Sequence, residues 1–96
     1  MQADYDSAAN AISIEIAHGA HADSSDEVDS RAIVALAAGQ PIEVQLLYPD
    51  LGIDEPLAAV VRRYHLDSEA LHAAARSALA APDRVVTLEV RDRAVA

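Results

Sequence analysis

Residues 42–64 read IEVQLLYPDLGIDEPLAAVVRRY, and the apolar period changes within them. From Ile42 to Tyr48 apolar residues alternate with polar ones. Ile42, Val44, Leu46 and Tyr48 share one face and Glu43 and Gln45 the other, which is the pattern of a half-buried strand. Tyr48-Pro49-Asp50-Leu51-Gly52 then breaks the pattern with Pro and Gly. Beyond it, Leu57, Val60, Val61 and Tyr64 fall at i, i+3, i+4 and i+7, one face of a helix. Asp54, Glu55 and Pro56 suit its first turn, and Arg62 and Arg63 suit its last, where the helix dipole is negative. Strands that give way to helices in this manner mark an α+β fold.

Working back toward the N-terminus, Ile12-Ser13-Ile14-Glu15-Ile16 alternates strictly, and an earlier short strand fits Ala3 to Tyr5. Ala17 to Ser30 turns polar and reads as a connection between strands. Ala32 to Ala37 is an apolar run of strand character, and Gly39 can supply the positive φ of a tight turn before Pro41. The expectation is an antiparallel β-meander of three to four strands. Working forward, Asp67 or Ser68 caps a second helix that runs to about Ala81, where Pro82 stops it. Its polar residues Glu69, His72 and Arg76 form one narrow stripe, and most of the rest is alanine with Leu71 and Leu79. So little polar surface predicts cover on more than one side, and hence a second chain. Val85 to Val90 reads as a returning strand that pairs with the meander's edge or with another chain. The whole is one domain, 1–96, with a β-meander at 2–50, a helical pair at 54–82 packed on one face, and a C-terminal strand at 84–91.

Composition limits the partners. Net charge is −9, and residues 1–55 hold eleven acids against one base, Arg31. Phosphate backbones and anionic membrane surfaces repel such a half, so neither nucleic acid nor membrane is expected. The plainer reading is that this acidity keeps a small protein in solution, and the sharper one is that the acidic half faces a basic protein partner. There is no Cys, Phe or Trp, so disulfides and thiolate metal sites are excluded and the core must come from Ile, Leu and Val. A small alanine-heavy core often borrows burial from a partner, which again points to a homo-oligomer, most simply a dimer. No run of about 18 apolar residues occurs, and the opening MQADYD lacks the basic-then-apolar pattern of a signal peptide, so a cytoplasmic protein is expected.

Candidate chemistry is sparse. His18 and His21, three residues apart and followed by Asp23, Asp26, Glu27 and Asp29, are the candidate metal ligands. The acidic run lacks the glycine of a calcium loop, and a solvated strand connection is the favoured reading of it. Tyr5 and Asp6 are candidate binding residues, read otherwise as a packed Tyr beside an Asp-stabilised turn. His72 and Arg76 are binding candidates on the second helix, read otherwise as its wet side. Nucleophile motifs and phosphate-cradling glycine loops are missing, so no catalytic residue and no cofactor is assigned.

Tyr5-Asp6 with Asn10-Ala11-Ile12-Ser13-Ile14-Glu15-Ile16 resembles the YDxxADALYIxL opening of a bacterial family, domain of unknown function 2283. The likeness continues through Glu27-Val28-Asp29, Ile33 to Leu36, Gly39, and Ile42 to Leu47, against the family's VGIEIL strand. It covers roughly residues 4–48, with Glu43 in place of the family's Gly and Asn10 in place of an Asp. The resemblance implies a compact β-meander module and carries over no catalytic residues. Together these readings lead to the expectation of an acidic, self-associating interaction module, antitoxin-like toward a basic partner. The alternative is a small enzyme or ligand-binding protein with a site at a dimer interface, near Tyr5, His18, His72 or Arg76.

Overall fold

The computed structural model describes residues 1–88. Its strands are β1 (Gln2–Asp6), β2 (Ala11–Glu15), β3 (Ser24–Asp29), β4 (Ala32–Ala37), β5 (Gln40–Leu47) and β6 (Val85–Thr87). A single 3-10 turn at Pro49–Leu51 leads to α1 (Asp54–Tyr64), and α2 (Ser68–Ala80) follows. All six strands form one antiparallel sheet in the order β3-β4-β5-β2-β1-β6. The fold is therefore α+β, with a β3-β4-β5 meander and the β1–β2 hairpin added beside β5. The returning strand closes onto β1 of the same chain, with Val86 opposite Ala3. Residues 89–91 of the expected C-terminal strand lie outside the described residues.

Short-range polar chemistry sets the turns. Ala38 and Gly39 join β4 to β5 with φ of 51° and 79°, the paired positive values whose twist suits a two-residue hairpin. Asp6 Oδ1 accepts from the backbone N–H of Ala8 and Ala9, and Asn10 closes the same loop at φ 53°. Asp29 Oδ1 accepts from Arg31 N–H between β3 and β4. Pro41, which has no N–H to donate, sits beside the register shift between Ala35 and Leu36.

Both helices pack on one face of the sheet, α1 over β3, β4 and β5, and α2 over β1, β2 and β6. Ile12, Ile14, Val34, Val44 and Leu46 from the sheet meet Leu57 and Val60 of α1 and Leu71, Ala74, Ala75 and Ala78 of α2. No polar or charged residue is buried among the described residues. Each large aliphatic side chain enclosed here contributes about 1.5–3 kcal/mol.

Three sequence expectations need correction. Residues 17–30 are not wholly a connection, because Ser24–Asp29 forms the edge strand β3. Its polar composition hid it, and an edge strand needs no continuous apolar face. Tyr48 does not extend the buried face of Ile42, Val44 and Leu46. It turns out of β5 at φ 51° and is 53% exposed. Finally, α2 finds its cover within the chain: Leu71, Ala74, Ala75 and Ala78 are buried, and Leu79 packs against the core. Its alanine content does not demand a second chain.

Candidate functional site

Among the described residues, the sheet's other face carries no helix. Alternation puts Ala3, Ile12, Ile14, Val44 and Leu46 toward the helices and their neighbours outward. Asp4, Ser13, Glu15, Glu43 and Gln45 thus point away from the core on the three central strands. The register sets Glu15 directly opposite Glu43, with Cβ atoms about 5 Å apart. Asp4 lies opposite Ser13, on the diagonal from Glu15 and about 7–8 Å from it. Three carboxylates of one sign therefore occupy the middle of the face. Partial burial pushes the Glu43 carboxyl up from its ordinary value, and the charges of Glu15 and Asp4 push it the same way.

Among the described residues, basic side chains reach this group only at its rim. His18 Nδ1 lies 2.6 Å from Glu15 Oε1. Arg84 shares a cleft of about 310 Å³ with Asp4, Asp6, Asp83 and Val85. Neither Glu43 nor Asp4 forms an ion pair among the described residues. On the β4 side, Ile33, Ala35 and Leu47 fall on the same outer face, since they alternate with Ala32, Val34 and Leu46 of the core. The face combines a central negative charge with an apolar flank.

The sequence candidates are placed apart. Tyr5 packs against the core, and its hydroxyl donates to Asn10 Oδ1 at 3.0 Å. Asn10 Nδ2 in turn donates to Asp50 Oδ1 at 2.7 Å. Asp6 is occupied with the turn described above. His18 follows β2 at the far end of the β1–β2 hairpin from Tyr5, and His21 is exposed. Among the described residues no group of three or more His, Asp or Glu side chains is placed to hold a metal ion. His72 Nδ1 donates to the Ser68 carbonyl at 2.8 Å, and its Nε2 lies 3.2 Å from Asp54 Oδ1, so it bridges the start of α1 to α2. Arg76 is exposed one turn further on. Tyr5, His18, His72 and Arg76 do not converge within one chain.

One cluster escaped sequence reasoning. Asp26 of β3 accepts from Tyr64 Oη at 2.6 Å and from Arg63 Nη1 at 3.0 Å, both at the C-terminal end of α1. The Tyr64 hydrogen bond, then Arg63, holds the Asp26 carboxyl below its ordinary value. The same bond to Asp26 pushes the Tyr64 phenol up, away from any role as a nucleophilic phenolate. This is a clasp between helix and edge strand. The one available signal was Tyr64 on the apolar helix face with a basic neighbour, and nothing local linked it to a residue 38 positions earlier.

No family model, no curated protein and no solved structure matches the chain.

Proposed function

We propose that this chain is a non-enzymatic interaction module, acidic and self-associating, that takes a basic protein as partner in the manner of an antitoxin. The observation that carries this reading is the sheet face that no described helix covers, whose central side chains are Asp4, Glu15 and Glu43. Its sign favours encounter with a basic surface and disfavours phosphate backbones. Self-association draws support from large apolar side chains left in solvent, Tyr48, Leu51 and Val85, the last two 69% and 66% exposed. No described helix is long and apolar enough to cross a membrane, and the proposed setting is the cytoplasm. The likeness of residues 4–48 to the domain of unknown function 2283 family belongs to the same proposal and adds no activity to it.

A native pull-down from host lysate tests the reading. It expects a basic protein recovered in stoichiometric amount, and recovery of none contradicts it. Light scattering at micromolar concentration tests self-association. The expected mass is twice the 10.1 kDa of one chain, and a mass near 10.1 kDa overturns that part.

A further inference from the structure

The geometry points to the face of β5, β2 and β1 that no described helix covers as the docking surface for a protein segment in which Arg or Lys alternates with apolar residues. The inference rests on the interaction reading above and adds where the partner sits and what chemistry it presents. Charge complementarity selects the occupant. Glu43 and Glu15 face each other across adjacent strands with Asp4 on the diagonal, and the neighbouring β4 side offers Ile33, Ala35 and Leu47. A guanidinium or ammonium group set among the three carboxylates relieves their mutual repulsion, while its apolar neighbours cover the flank. Glu43 is already held in a partly desolvated position beside like charges, so a cation arriving there gains more than one at a fully exposed acid.

A second copy is a poor occupant, because two such faces brought together by a two-fold axis set carboxylates against carboxylates. His18 engages Glu15 from the end of β2 and Arg84 stands at the β6 rim, while Glu43, on β5 and three strands in from β6, pairs with neither among the described residues. Size sets the strength. The three strands and the flanking β4 span about 14 Å and two outward rows add roughly 15 Å, on the order of 200 Å². That is about a quarter of the area one partner buries in a standard stable complex, so an isolated segment binds no more tightly than the micromolar range.

The test uses the full chain and a synthetic peptide alternating Arg with Val, titrated by calorimetry near physiological salt. Two double variants are compared, E15Q/E43Q on the face and E55Q/E69Q at the two helix starts, which remove the same charge. The expected result is an affinity loss of about tenfold for the face variant and under about twofold for the helix variant. Equal losses mean diffuse attraction by net charge and overturn the proposal, as does no loss in either variant or no binding by the wild type. Doubling of mass that is abolished in E15Q/E43Q would assign the face to a second copy and overturn it too. A lysate partner that binds E15Q/E43Q as tightly as the wild type removes the face but leaves the interaction reading standing. Recovery of no partner removes that reading itself.

Discussion

Asp26 holds an acidic edge strand onto a helix through two donors, Tyr64 Oη and Arg63 Nη1. Removing one donor should loosen the edge without unfolding the sheet. Tyr64→Phe is expected to cost about 1 kcal/mol in denaturant unfolding, the usual net worth of one hydrogen bond. The sign of the pH dependence follows from the lowered Asp26 carboxyl. Its contribution is present above the ordinary carboxylate value and is lost as pH falls through the depressed folded one. The stability gap between wild type and Asp26→Asn should therefore hold at neutral pH and close on acidification below 3.8, as followed by thermal melts. Sequence spacing put Asp26 among loop acids and Tyr64 on the apolar helix face. What joins them is the packing of α1 over β3, which no local pattern encodes.

At the level of elements, the two helices were readable because their capping and period agree. Asp67 does cap α2, its side chain accepting from Ala70 N–H at 3.1 Å. Asp67→Ala should cost about 1 kcal/mol, checked by chemical denaturation. The alanines of α2 carry a different message from the one their composition suggested. Ala74, Ala75 and Ala78 are fully buried against the sheet, so they set how closely the helix lies on it. Ala75→Leu should destabilise by about 1–3 kcal/mol through overpacking, a change a merely surface alanine would tolerate. The edge strand β3 stayed unread because Ser24 to Asp29 has only Val28 as a large apolar residue. A strand at a sheet edge, clasped by polar bonds, lacks the alternation on which strand recognition depends.

At the scale of the molecule, all the helical cover among the described residues lies on one side of a six-stranded sheet, and the other side concentrates negative charge near its centre. The raised Glu43 carboxyl means that its ionisation opposes folding. That group contributes most below the ordinary glutamate value of 4.5, and the contribution is lost as pH rises through the higher folded value. Glu43→Gln should therefore raise Tm at neutral pH by about 2 °C, with the gain vanishing in acid. A residue that costs stability where it stands is one that folding alone does not explain. The strand alternation exposed Glu15 and Glu43 to sequence reading singly. Their opposition across β2 and β5 depends on a strand order in which residues 11–15 sit beside residues 40–47 rather than beside 32–37. The most direct test of the sheet face as the partner's seat is carbodiimide footprinting of carboxylates in the free protein and in the captured complex. Glu15, Glu43 and Asp4 are predicted to lose most of their labelling on binding while Glu55 keeps its own. Undiminished labelling of Glu15 and Glu43 in the complex would contradict the account.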